Sequence, residues 1–163
     1  ATSPEAEKLY KFLIENYGKK TISGMMAKVA WNTEKAEQVH TWTGHYPALN
    51  TFDYMHMRYS PADWINYSDI SPVTNWANAG GIVSCMWHWN VPKETGSSID
   101  DYTATLSETE FDAQKAIEEG TWENGIVKKD LETVANMLKQ LKEAKVPVLW
   151  RPLHEAAGQF FWW

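Results

Sequence analysis

Apolar runs and amphipathic stretches follow one another along this chain in a regular succession. Ile82-Val-Ser-Cys-Met-Trp-His-Trp-Asn90 is apolar almost throughout, the pattern of a strand covered on both faces. Tyr46-Pro-Ala-Leu-Asn-Thr-Phe-Asp-Tyr54 and Val146-Pro-Val-Leu-Trp150 read as two more strands, and Thr21-Ile-Ser-Gly24 as a short one. Helices are expected between them. Ser3-Pro4-Glu5 has the form of a helix start, with an N-cap, proline in the first turn and an early acid. Leu9, Phe12, Leu13 and Tyr17 then recur at helical spacing until Gly18. A second helix is expected over Asn32–Trp42, capped by Asn32 or Thr33, and a third from Ser71-Pro72 to Gly80-Gly81.

The polar stretch from Val91 to about Leu106 reads as a long loop. Ser107-Glu-Thr-Glu110 has the capping-box form and predicts a helical patch through Glu118. After the break at Gly120–Gly125, Ile126–Lys145 is the clearest helix, with Val127, Leu131, Val134, Met137, Leu138 and Leu141 as its apolar stripe. Strands apolar on both faces and separated by helices predict an α/β fold with a parallel sheet. These units suit an open doubly wound sheet or half of a (β/α)8 barrel. No glycine-rich loop follows any strand, which removes support for nucleotide binding.

Composition narrows the partners. A net charge of -6 argues against nucleic acid, whose phosphates need a basic face. No run approaches the roughly 18 apolar residues of a membrane span. The single Cys85 allows no intrachain disulfide and reads as a buried filler. Ten tryptophans, seven tyrosines and five phenylalanines fit either an aromatic core or a surface that stacks on sugars. The start at Ala1 shows no secretory leader, as in a processed or trimmed chain.

In parallel α/β folds the chemistry lies beyond the carboxyl ends of the strands. Those ends carry Asp53 and His56, then His88, then Arg151, His154 and Glu155. Glu155 precedes Phe160, Phe161, Trp162 and Trp163. Rings around a carboxyl group disfavour its charged form and raise its pKa, which suits a general acid. The competing reading pairs Glu155 with Arg151. His88 and His154 read as substrate-contacting groups or as satisfied, partly buried histidines. A zinc reading of His88, His154 and Glu155 lacks a His-x-x-x-His motif or a second cysteine. His40, His45 and His56 read as surface or core residues. Trp31, Trp42, Trp64, Trp76 and Trp122 read as packing.

Leu149-Trp-Arg-Pro-Leu-His-Glu155, with Phe160-Phe-Trp-Trp163 after it, resembles the acid/base region of glycoside hydrolase family 26. Most members of that family are endo-β-1,4-mannanases. Gly81-Ile-Val-Ser-Cys-Met-Trp-His-Trp89 resembles the family's third strand, where a histidine lines the sugar site, and Asn124–Lys145 with its following strand also fits. The resemblance implies an α/β fold, the first half (about four β/α units) of a (β/α)8 TIM barrel. Residues 1–163 are then one partial catalytic domain cut at its C-terminal end, because the whole barrel takes about 250 residues or more.

The same resemblance implies a retaining endo-β-1,4-mannanase, a secreted, periplasmic or cell-surface enzyme whose partner is β-mannan, without metal or cofactor. Glu155 matches the acid/base, His154 the histidine beside it, and His88 the substrate-contacting histidine. Phe160 falls where the family commonly has an aromatic of the sugar platform, often tryptophan, and Trp162 is expected to bind sugar with it. Retention needs a second carboxylate roughly 5 Å away. The resemblance puts that glutamate on a late strand after Trp163, in the remaining half of the barrel, supplied by a further segment or another chain. Alternatives are a family relative acting on mixed-linkage β-glucan or β-1,3-xylan, a non-catalytic carbohydrate-binding protein, and a metal-dependent hydrolase. Carbohydrate-binding modules are usually all-β, so the long amphipathic helix counts against that class.

Overall fold

The computed structural model describes residues 3–28, 31–55, 65–98 and 101–163. The expectations placed on His56 and Trp64 lie outside the described residues. The chain runs α1 (Pro4–Asn16), β1 (Gly24–Met26), α2 (Glu34–Thr43), β2 (Leu49–Asp53), α3 (Ser71–Asn78) and β3 (Ile82–Trp87). A small hairpin follows, β4 (Val91–Pro92) with β5 (Tyr102–Thr103), then α4 (Trp122–Glu143) and β6 (Val148–Pro152).

The main sheet has the order β1-β2-β3-β6 and every pair is parallel. Crossovers between parallel strands are right-handed. A strand order that never reverses therefore sends each connecting helix to the same face, whereas a doubly wound sheet reverses at its switch point. The sheet is of the singly wound, barrel-forming kind. Four consecutive β/α units account for it.

Register partners share a face of a parallel sheet. Phe52, Cys85 and Trp150 form one row, and Asp53, Met86 and Arg151 form the next row on the opposite face. The first face meets the helices: Phe52, Val83 and Cys85 pack with Ala36 of α2, Val73 and Trp76 of α3, and Val134 and Leu141 of α4. Leu141 is fully buried, worth about 1.5–3 kcal/mol. The opposite face is more polar, with Thr51, Asp53 and Ser84 buried in it.

The helix starts show where local signals govern. Ser3 Oγ accepts the Ala6 N–H at 3.1 Å, and Pro4 occupies the first turn. Thr121 Oγ1 accepts the Asn124 N–H at 3.1 Å, so α4 begins at Trp122 and passes through Gly125. Its expected break at that glycine is absent. Leu131, placed on the apolar stripe by spacing, is 48% exposed. The helix expected over 107–118 is replaced by two short 3-10 turns, Leu106–Glu108 and Lys115–Ile117. The Glu110 N–H that a capping box would bind goes to Lys93 O at 2.6 Å, and Thr109 Oγ1 donates to Pro92 O at 2.6 Å. The hairpin has captured the donor, so the helix does not nucleate.

Candidate functional site

Three strand ends converge at the carboxyl edge of the sheet. At the end of β2, Asp53 is buried, and its Oδ1 accepts the backbone N–H of His88 at 3.0 Å. Its carboxylate also takes the Met55 N–H. Tyr67 Oη donates to the Asp53 carbonyl at 3.0 Å. Burial is the dominant influence on Asp53 and raises it from 3.8 to about 6, against the two N–H donors. This acid joins β2 to β3 and fixes where the chain leaves β3, which places His88. Sequence reasoning noted Asp53 only as an acid at a strand end.

Beyond β6 the backbone turns sharply. Leu153 and Glu155 have φ values of 48° and 55°, and Gln159 has 57°. These are left-handed conformations in which a Cβ crowds the following carbonyl. The turn sends His154 inward, where it is buried, and leaves Glu155 exposed. His154 is held below the usual histidine value, first by burial, with Glu155 opposing and Arg151 assisting. Its Nδ1 has no hydrogen-bond partner among the described residues.

The His88 and His154 rings lie 5.3 Å apart. Phe161 meets His88 edge-on at 5.0 Å and His154 at 5.2 Å. Trp163 stacks on Phe161 at 4.3 Å, and its Nε1–H donates to His154 O at 2.9 Å. Two histidines and two rings thus form one wall beside Glu155.

Trp162 does not join that wall. It is 7% exposed, its Nε1–H donates to Trp89 O at 2.7 Å, and its ring meets Trp89 and Phe111. Trp89 Nε1–H in turn donates to the buried Asp130 of α4 at 2.8 Å. The expected sugar contact at Trp162 is corrected to a core anchor. The segment from Phe160 is extended and bridges Thr105 through Phe161. Alternate residues of an extended chain point to opposite sides, so Phe161 and Trp163 face the histidines while Trp162 faces inward. That period of two is the signal in the sequence that finds Phe161 and Trp163.

Phe160 is 48% exposed and packs edge-on against Phe161 at 4.6 Å. A Cβ at Gly158 would overlap the Phe160 ring where it lies, so a side chain there would push this half-exposed ring aside.

The desolvation expected around Glu155 is absent in this half of the barrel, because the residue is exposed. Among the described residues no ion pair joins it to Arg151. No group of three His, Cys, Asp or Glu residues is arranged to hold a metal among the described residues. Trp31 and Trp76 are core residues as expected, whereas Trp42 is 72% exposed. Cys85 is buried, which raises its thiol.

A singly wound parallel sheet with an exposed acid and a histidine–aromatic wall beyond its strand ends is the arrangement of half a (β/α)8 barrel seen at its carboxyl edge. The model of glycosyl hydrolase family 26 matches residues 1–163. The chain belongs to that family. A mannan endo-1,4-β-mannosidase of Thermothelomyces thermophilus is 36% identical over 168 residues, covering 97% of this chain and 33% of that protein. Mannan endo-1,4-β-mannosidase B of a Piromyces species is 34% identical, over 98% of this chain and 28% of that protein.

Among solved structures, the family 26 domain of an endo-β-mannanase/endo-β-glucanase from Prevotella bryantii superposes with a TM-score of 0.90 at 44% identity. It covers 99% of this chain and 54% of that one. A β-mannanase from a symbiotic protist of the termite Reticulitermes speratus, complexed with gluco-manno-oligosaccharide, gives 0.81 at 38% identity, over 99% and 52%. This chain spans about a third of the curated relatives and about half of the solved domains.

Proposed function

We propose that this chain is the amino-terminal half of a retaining endo-β-1,4-mannanase domain, with Glu155 as its general acid/base. The observation that carries the reading is the convergence of His88, His154, Phe161 and Trp163 beside an exposed Glu155 at the carboxyl edge of the sheet. In this reading Glu155 protonates the glycosidic oxygen as its bond to the anomeric carbon breaks. A second carboxylate, supplied from the rest of the domain, attacks that carbon, and Glu155 then deprotonates the water that releases the sugar.

The exposure of Glu155 leaves it accessible to substrate. A bound sugar and the remaining strands supply the desolvation that a proton donor needs. His154 stays neutral near pH 7, because its burial disfavours the cation, and so retains one ring nitrogen as acceptor. His88 and His154 contact the sugar at the scissile bond, and Phe160 and Trp163 flank it. The enzyme acts outside the cytoplasm, where the polymer is.

The test uses the complete protein on mannan, mixed-linkage β-glucan and β-1,3-xylan, the substrates of the alternative readings. Wild type should prefer mannan. Glu155→Ala should lower mannan hydrolysis by about 10²–10⁴-fold, the range of a lost proton donor. It should spare an activated aryl mannoside far more, because a good leaving group needs little protonation. Equal losses on both substrates would make Glu155 a structural residue.

A further inference from the structure

The opposite end of the sheet carries a feature that hydrolysis does not use. A cleft of about 430 Å³ lies between α2 and α3, over the residues that lead into β2 and β3. Glu37, Tyr46, Asn75 and Trp76 line it, Thr33 stands at its rim, and Gly80–Gly81 form part of its floor. β2 and β3, five and six residues long, separate its floor at Ala48 and Gly80–Gly81 from the His88 end by roughly 17–20 Å at the strand rise.

Tyr46 is 49% exposed, yet its ring is fixed. His40 stacks parallel to it at 4.0 Å, and its hydroxyl donates to Glu37 Oε2 at 2.7 Å. Trp76 meets it edge-on, with the indole N–H held by Ile82 O at 3.0 Å. Gly81 permits this, since any side chain there would overlap the Trp76 ring. The side chains of Thr33 and Asn75 make no hydrogen bond among the described residues.

We propose that this cleft is a second, non-catalytic site for a chain of neutral β-linked hexoses. A pre-oriented flat ring with hydroxyl, amide and carboxylate groups around it matches a sugar's apolar C–H face and its rim of hydroxyls. Among the described residues no lysine or arginine lines the cleft, so an anionic ligand finds no counter-charge there. A purely apolar partner would strip water from Thr33, Asn75 and Glu37 without replacing their hydrogen bonds. The site keeps a polymer near the enzyme and raises its effective concentration at the catalytic end. The identity of the sugar and the tethering role rest on the mannanase reading; binding of a neutral β-linked glycan does not.

The experiment titrates mannohexaose and cellohexaose into the complete protein carrying Glu155→Gln, which stops turnover. The NMR signals of the His40 ring and Trp76 indole report the cleft. They should move saturably with at least one hexasaccharide. Tyr46→Ala should weaken that response by about tenfold, and the exposed Asn75→Ala by about threefold with an unchanged melting temperature. On the active enzyme, Tyr46→Ala should slow attack on insoluble mannan while leaving kcat/KM for mannohexaose unchanged.

Unmoved His40 and Trp76 signals with both sugars would overturn the proposal, as would equal affinity in both variants. If the cleft responds while wild type leaves mannan uncut, the glycan site stands and the mannanase reading fails. Hydrolysis of mannan beside a silent cleft gives the converse.

Discussion

The ends of β2 and β3 and the end of β6 carry the same pair of residue types, an acid and a histidine, in opposite states. Asp53 is buried and receives the N–H groups of His88 and Met55, so the chain's own backbone satisfies it. Glu155 is exposed on a turn with three non-glycine residues in left-handed conformations. Each of these costs on the order of 1–2 kcal/mol, so the turn persists only because something else holds it. That hold is the returning aromatic segment, through Trp162 to Trp89 and Trp163 to His154. A buried, satisfied acid fixes geometry. An exposed acid on a strained turn is free for chemistry.

The sharpest way to break this contrast is to remove the hold. Trp162→Ala in the complete protein deletes a buried indole and leaves Trp89 O without its donor. The expected cost is about 3–5 kcal/mol, or a melting temperature lower by roughly 5–10 °C in a whole barrel of about 250 residues or more. Trp163→Ala, at a half-buried ring, should cost less than half as much while disturbing the His154 environment directly. Calorimetry on both variants decides the assignment. A Trp162→Ala protein that melts normally but loses affinity for mannan would return Trp162 to the sugar site.

Much of the frame was legible because it rests on local patterning. The runs at 82–90 and 146–150 announce strands covered on both faces, and Ser3-Pro4-Glu5 announces a capped helix, all by near-neighbour chemistry. The lost features depend on distant partners. Glu110 sits in a sound capping box, but the carbonyl of Lys93 competes for its N–H across the hairpin. Gly125 reads as a break until Thr121 is seen capping the helix four residues earlier. In the candidate site, His88, His154 and Glu155 were legible as strand-end residues and from the Trp-Arg-Pro-Leu-His-Glu string. The burial of Trp162 and the exposure of Glu155 were not, because a sharp turn decides which way each side chain points. Asp53 was visible as an acid, but its task is a backbone hydrogen bond that no side-chain motif encodes.

Asp53 offers a subtler probe through pH. Its folded value of about 6 lies above the ordinary 3.8 of an unfolded chain. Between those values the folded protein binds a proton that the unfolded chain has released. Its contribution to stability is therefore full below about pH 4, falls as pH rises, and is lost above about pH 6. A shift of roughly two units corresponds to about 3 kcal/mol at most. The side-chain amide that Asp53→Asn introduces cannot ionise, so the melting temperature of wild type relative to this variant should fall between pH 4 and pH 6.5. A difference that stays flat across that window would mean that burial does not hold this carboxyl up.

The smallest expected effect lies at Phe160, on the open side of the same turn. Its ring is half exposed and touches Phe161 edge-on, so it contributes little to folding. Phe160→Ala should leave stability within about 0.5 kcal/mol, the usual range for a surface change. If the ring stacks on a bound sugar, the loss appears in catalysis on polymer, as a kcat/KM lower by about twofold to tenfold on mannan. That range matches the roughly 0.5–1.5 kcal/mol carried by an aromatic contact beyond its buried area. Phe160→Trp, which enlarges the ring, should hold or raise the same constant. Gly158 lies directly beneath the ring, so a larger indole must fit over the same stretch of backbone. An unchanged kcat/KM in Phe160→Ala with a lower melting temperature would make Phe160 a brace for the turn, and the sugar wall would then end at Phe161 and Trp163.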